Sequence, residues 1–358
     1  MNSLLILPEI KFSWSISEQA NGFWKIDRLR WRIIQDMTSP EIVTNVFTAE
    51  QMRKDQDGRL LEGLTEIWNA ACGTDLSITP GFMDYNLRSS TGIVQMGSVA
   101  ARGGRLVGFV LASCAQGAEM GQQGWVDAVA VRPEAQRRGV GRALLEWATS
   151  WLASLGCHRA NLGTSMRPFT PGLPSELNPE PFLRFGFQQA GSCWDLSANL
   201  KEFQPRFPRP AAGVEVRCLQ AAETDQLLAF LREEFPGRWN YEVEEHLREG
   251  SNPADILVLW EESQIRGFCR VTYEGSDAPI ERFYLQKLPH PWGQAGTYGV
   301  AAGQRGRGLG LYLIQQSLVH LQSRGVDGCI IDWTNYLDLY GKFGFTPYRQ
   351  YRMLSREL

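Results

Sequence analysis

The chain is short of the residues that mark several large classes of protein. Lysine occurs only six times against thirty arginines, and histidine four times. His158, His246, His290 and His320 are scattered. The seven cysteines (Cys72, Cys114, Cys157, Cys193, Cys218, Cys269 and Cys329) contain no CxxC pair, so spacing supports neither a metal site nor a disulfide framework. An odd number of dispersed cysteines fits free thiols in a reducing compartment. No run approaches the ~18 apolar residues of a membrane span. "MNSLLILPEI" lacks a basic flank and is cut by Pro8 and Glu9, which makes it a poor signal peptide. A soluble cytoplasmic protein, monomer or homodimer, is the expectation. A net charge of −3 gives no global pull toward nucleic acid or anionic membrane, so any polyanion must be held by local arginine clusters. The P-loop string G-x-x-x-x-G-K-[ST] is absent, and no G-x-G-x-x-G opens an early βαβ unit.

What is present is a globular composition, 43% hydrophobic and 21% charged over 358 residues, long enough for two domains. Alternation at Ile10, Phe12, Trp14 and Ile16 and again at Leu29, Trp31 and Ile33, around "EQANG", predicts a hairpin within residues 1–40. Residues 41–200 then read as strand (42–48), helix (60–71), short helix (82–87), a hairpin across "VQMGSVAARGGRLVGFVLAS", strand (125–131), glycine turn, helix (142–155), strand (159–164) and a last strand near Trp194. The three prolines of "KEFQPRFPRPAAG", residues 201–213, disfavour helix and sheet and mark a linker. Residues 214–358 replay the order: strand 214–219, helix 222–234, strands 256–260 and 265–273, the glycine turn with its helix, strand 329–333 and a closing strand near Tyr351. Duplication of one domain accounts for the length and the doubled pattern together.

In each repeat an extended segment, Val129 to Val131 or Tyr298 to Val300, enters a turn and then an apolar-striped helix. A helix N-terminus has unpaired N–H groups and the positive end of the macrodipole, so it attracts an anion. Gly139, Gly141, Gly308 and Gly310 let the backbone approach that anion, and Gln136, Arg137, Arg138, Arg305 and Arg307 add donors. The natural ligand is a pyrophosphate. A single GxG is more often a plain connector, but two copies at one place in diverged repeats, both with arginines, exceed what a connector requires.

"VRPEAQRRGVG" and "VAAGQRGRGLG" resemble the acyl-CoA-binding motif V-x-P-x-x-[QR]-x-x-G-x-[GA] of the GNAT N-acetyltransferase superfamily. "FLRFGF" and "LYGKFGF" look like its F-Y-x-K-x-G-F signature. The first copy keeps Pro133 and Gln136, whereas the second has Ala302 where proline is usual. The resemblance implies an α/β (α+β) chain of two tandem GNAT domains, 41–200 and 214–358, similar in architecture to the mycothiol synthase branch. Each would be a mixed, mostly antiparallel sheet flanked by helices, with a splayed central strand pair. It implies acetyl-CoA as co-substrate and a small-molecule amine as acceptor. Val129, Val131, Tyr298 and Val300 would pair with pantetheine. Gln136, Arg137, Arg138, Gly139, Val140, Gly141 and Arg142, and in the second copy Arg305, Gly306, Arg307, Gly308, Leu309 and Gly310, would hold phosphates.

Acetyl transfer needs a neutral amine, and an alkylamine with a pKa of ~10.4 is mostly protonated at pH 7. A base that removes its proton is worth ~10²–10⁴ in rate. The family often places a carboxylate on the strand before the turn, which is Asp127 in the first repeat, while the second has Gly296. A tyrosine in the signature commonly protonates the leaving thiolate. The second repeat has it as Tyr340, and the first has Phe182. Asp332, on the next strand of the second repeat, is a candidate base through water, although a strand-end Asp is more often a solvated cap, and Tyr340 fits a packing aromatic equally well. By analogy with tandem relatives, the C-terminal half is expected to be the working one. The insert "RPFTPGLPSELNPEP", Arg167 to Pro181, walls an acceptor pocket, covers the partner domain or is a surface loop. Trp292, Tyr298, Trp333 and Tyr336 are candidates to stack on an acceptor or to fill the core. Two functions stay open: an acetyl-CoA-dependent N-acetyltransferase, and a non-catalytic acyl-CoA-binding or sensor protein.

Overall fold

The structure is a computed structural model that describes residues 17–18, 24–25, 32–34, 42–48, 59–88, 90–116, 123–276 and 288–358. Its first half comprises β1 (Ser17–Glu18), β2 (Trp24–Lys25), β3 (Arg32–Ile34), β4 (Ile42–Thr48), α1 (Arg59–Cys72), α2 (Pro80–Asn86), β5 (Ile93–Arg102), β6 (Arg105–Ala115), β7 (Gly124–Val131), α3 (Val140–Ser154), β8 (Arg159–Leu162), β9 (Leu173–Pro174), α4 (Glu180–Leu183) and β10 (Gln188–Asn199). The second half comprises β11 (Val214–Cys218), α5 (Thr224–Glu234), α6 (Arg238–Arg248), β12 (Ile256–Glu261), β13 (Gln264–Tyr273), β14 (Trp292–Val300), α7 (Leu309–Ser323), β15 (Gly328–Thr334), α8 (Leu337–Gly341) and β16 (Thr346–Glu357).

The strand β6 shows why the core segments read as almost continuous apolar runs. Phe109 and Leu111 pack toward Leu64, Ile67 and Trp68 of α1, while Val110 and Ala112 pack toward Leu144 and Leu152 of α3. Successive side chains leave opposite faces of a strand, so helices on both faces demand apolar residues at every position. The second half repeats the arrangement. Val258 and Phe268 pack with Leu227 and Leu231 of α5, and Leu259 and Cys269 with Leu313 and Leu318 of α7.

Strands from both halves form one sheet in the order β11-β12-β13-β14-β15-β10-β16-β8-β7-β6-β5-β4-β3, with β9 beside β16. Its joints are antiparallel except β7 with β8 and β14 with β15. The two terminal strands are exchanged. The first half's β10 pairs with β15 of the second, and the chain's last strand, β16, pairs with β8 of the first. An uncovered strand exposes a row of unpaired N–H and C=O groups, and the exchange covers β8 and β15 alike. Between the halves, residues 201–213 carry neither helix nor strand and dock on α7. There the Gln315 carboxamide accepts from Phe207 N at 2.7 Å and donates to Phe207 O at 2.7 Å.

Two elements escape the sequence pattern. α6 has only four apolar residues in "RWNYEVEEHLR", because its inner face buries Asn240, Glu245 and His246 along with Val243. β9 lies inside the proline-rich insert and owes its two rungs to β16. Of the expected N-terminal hairpin, Ser17–Glu18 pairs antiparallel with Trp24–Lys25 around the expected turn. Its arm from Ile10 to Ile16, with Leu29 and Trp31, lies outside the described residues. All seven cysteines are free thiols, and Cys114 and Cys157 touch at 3.1 Å.

Candidate functional site

Both glycine turns have the same backbone. Arg137 and Gly306 stand at equivalent positions with φ of 57° and 80°, and Gly139 and Gly308 follow with φ of 82° and 78°. Each of those two glycines is the N-cap of its helix and supplies no side-chain cap, so the first N–H groups of α3 and α7 have no partner from the cap residue. A Cβ built at Gly139 or Gly308 would meet nothing within 4 Å. Gln136 Nε2 and Arg305 Nε, again equivalent, donate to Val131 O at 2.9 Å and Val300 O at 3.3 Å, closing the turns alike. The space, the unpartnered N–H groups and the dipole fit a pyrophosphate.

The strands before the turns match as well. β7 pairs with β8 over three residues, to Val126 and Leu162, and β14 with β15 over three, to Gln294 and Ile330. Beyond those points the strands part, so Val129 and Val131, and Tyr298 and Val300, lie on open backbone edges. A bulge sits at each parting, on Asp127 in β7 and on Thr297 in β14. Thr297 has φ of 58°, a strained conformation for a β-branched residue, of the kind that clusters at functional sites.

The halves then diverge. Arg137 and Arg138 are exposed and enter no ion pair among the described residues, and Arg142 pairs with Glu146 at 2.8 Å. In the second turn Arg307 is gripped by both Glu261 carboxylate oxygens, at 3.0 and 2.5 Å. The first cradle therefore offers more unspent positive charge. Asp127, however, is 3% exposed and enclosed. Ser113 Oγ donates to it at 2.7 Å and Gln95 Nε2 at 2.8 Å. Burial pushes its carboxyl up to about 6 against the pull of these hydrogen bonds. Phe182 packs edge-on against Phe187.

The second half opens a cavity of about 380 Å³ at the parting of β14 and β15. Gly296, Thr297, Tyr298, Asp332, Trp333, Tyr336 and Tyr340 line it, so two of the three candidate catalytic residues share one space and Asp127 does not. The structure also accounts for the missing strand carboxylate. A Cβ at Gly296 would meet Asp332 Oδ1 at 3.5 Å, so the neighbouring strand delivers a carboxylate to the spot that position 296 leaves vacant. Trp333, next in sequence, has φ of 51°, and its N–H donates at 3.1 Å to Asp195 on the exchanged strand β10. Tyr340 is 7% exposed and lies 6.1 Å from the Tyr298 ring, whose hydroxyl bonds Ser317 Oγ at 2.7 Å. Burial, reinforced by Cys269 and Asp332, holds the Tyr340 hydroxyl well above its ordinary range, so it stays protonated. Trp292, among the four candidate aromatics, is buried core.

The cavity's remaining wall has almost no signature in the sequence. It includes α6, with Arg238, Trp239, Glu242, Glu245 and His246, Phe82 and Tyr85 of α2, and Met166, Arg167 and Pro168 where the first half's insert begins. The insert thus walls the cavity at one end, while Leu173 and Pro174 pair with β16 at the other. One signal is there to find: Arg270 interrupts the core strand "QIRGFCRVTY".

The Acetyltransferase (GNAT) family matches residues 61–169 and 224–345, more than half of the chain. The chain is 28% identical to a mycothiol acetyltransferase of Geodermatophilus obscurus over 264 residues, which are 66% of this chain and 78% of that protein. Its fold is similar to that of a GCN5-related glucosamine N-acetyltransferase region in a fungal multidomain GH3 β-N-acetylglucosaminidase, with a TM-score of 0.77 at 21% identity. That match covers 90% of this chain and 39% of the fungal one. A tandem GNAT protein from the clavulanic acid biosynthesis pathway also shares the fold, with a TM-score of 0.62 at 17% identity over 88% of this chain and 98% of that one. The tandem arrangement and the mixed sheet expected from the motifs are what these matches and the structure show.

Proposed function

The chain belongs to the acetyltransferase (GNAT) family, and on that premise we propose that it moves an acetyl group from acetyl-CoA to the primary amine of a small molecule, in its second half. The observation that carries this reading is the meeting of Asp332, Tyr340 and the open edge of β14 at one cavity. Acetyl-CoA supplies the reactive thioester. The chain's own groups do the rest. The backbone of Tyr298 and Val300 would hold the pantetheine arm, and the N–H groups from Arg305 to Gly310 the phosphates. Asp332 takes a proton from the ammonium, directly or through water. The amine then attacks, an N–C bond forms, the C–S bond breaks and the nitrogen's second proton passes to solvent. Tyr340, kept protonated by burial, gives its proton to the departing sulfur and regains one from solvent.

A second reading is supported for the first half alone. Its anion cradle is intact and better charged, but Phe182 carries no proton and Asp127 faces Ser113 and Gln95 rather than a cavity. There the family's acyl-CoA site would bind without catalysing, as structural ligand or sensor. Thiol release from acetyl-CoA against a panel of primary amines, with calorimetric stoichiometry, tests both readings. Amine-dependent thiol release with two CoA bound per chain is expected. Tight CoA binding with no thiol release for any amine would sink the transfer and leave only the binding protein.

A further inference from the structure

Several charged groups of the cavity are held in ion pairs. On α6, Arg238 bonds Glu242 at 2.8 Å and stacks over Trp333 at 4.5 Å. Arg167 of the insert is ion-paired with Glu249, and Glu245 takes Arg248 at 2.6 Å. Arg270 forms no ion pair with any described residue. It stands directly across the ladder from Gly296, so its side chain leaves the sheet on the face of the residue that has none. Beside it is His246, which burial and the Arg270 charge push down to about 3 and so keep neutral. Arg167 Nη1, His246 Nε2 and Thr272 Oγ1 are buried without a hydrogen-bond partner, and all three residues line the cavity. The Arg167 side chain is 8% exposed.

A partly buried cation outside any ion pair is costly, and so is each orphaned donor. Arg167 Nη1 and the Thr272 hydroxyl donate, and His246 Nε2 donates in one tautomer. What these three lack is a hydrogen-bond acceptor, and Arg270 forms no ion pair among the described residues; a carboxylate would meet both needs. We infer that the acceptor is zwitterionic, with a carboxylate held by Arg270 in addition to the amine presented to Asp332. The inference rests on the transfer proposed for this site. Arg270 and Asp332 both flank Gly296, one across the ladder and the other 3.5 Å from its Cβ position, so the amine and the acid must lie only a few bonds apart, as in an amino acid. A cavity of about 380 Å³ suits a molecule of that scale.

The test pairs each amino acid with its methyl ester and its decarboxylated amine, and reads kcat/KM for thiol release from acetyl-CoA. In the wild-type chain the acid should be favoured by about 10- to 100-fold, the usual weight of a hydrogen-bonded charge. In Arg270→Gln that preference should fall to near one, and Arg270→Lys should keep part of it. Equal or better turnover of esters and plain amines by the wild type overturns the inference without any variant and leaves the transfer standing. A preference that survives Arg270→Gln also overturns it. Failure of every amine, acidic or not, despite bound CoA overturns the transfer and this inference with it.

Discussion

Two stretches of the chain 169 residues apart build the same strand, turn and helix. Gly139 and Gly308 are both left-handed N-caps, and both strand pairs part after three rungs. Yet one cradle has arginines in no ion pair among the described residues and the other has its Arg307 committed to Glu261, while Tyr340 has Phe182 as its counterpart. The difference teaches that the two tasks rest on different parts of the polypeptide. On the proposed reading anion binding rests on backbone: N–H groups, a dipole and glycines that nothing crowds. Catalysis would rest on a few side chains, each of which one substitution removes. A repeat can therefore keep its cradle long after losing its chemistry.

The sharpest way to break this comparison is at the signature tyrosine. Tyr340→Phe should lower kcat by about 10²-fold or more with CoA affinity retained. The reciprocal Phe182→Tyr should add no turnover, because Asp127 is enclosed by Ser113 and Gln95. Steady-state kinetics checks both, and a fully active Tyr340→Phe would move the chemistry elsewhere. The next effect concerns the cradles. Arg138→Ala should weaken CoA binding at the first half about 5-fold, and Arg307→Ala should weaken the second half less, since its guanidinium must first leave Glu261. Calorimetry that resolves two sites would show this, and equal losses would contradict the difference in unspent charge.

The smallest effect on activity is expected at Asp127. Asp127→Asn should leave turnover within about 2-fold, because the carboxylate lies outside the cavity. Its effect on stability is larger and depends on pH. The folded carboxyl titrates at about 6, above its unfolded value, so the folded chain holds that proton more tightly. Its contribution therefore lowers stability as pH rises from about 4 through 6 and stays constant above. The difference in Tm between variant and wild type should thus grow in favour of Asp127→Asn across that window. A pH-independent difference would show that the carboxyl is not perturbed.

Much of this molecule is legible in its residue pattern alone. The strand at residues 42–48 and the helices around 60–71 and 142–155 follow from period and polarity, and the turns from their glycines and arginines. α6 is hidden because it faces a polar cavity and another half of the chain, so its polar inner face erases the helical stripe. Asp332 reads as a strand-end cap, since nothing in its own strand shows that it reaches the space beside Gly296.

The sequence by itself determined the local devices: two strand–turn–helix units, the tyrosine that survives in only one of them, and the absence of a carboxylate at position 296. These depend on neighbours within a few residues, where backbone preference and hydrophobic period act directly. Only the tertiary structure decided which residues meet. The exchange of β10 and β16 and the packing of α6 against Arg167 bring groups from distant parts of the chain around one cavity. Pairing over such separations is set by edge coverage and buried charge, which no local window contains.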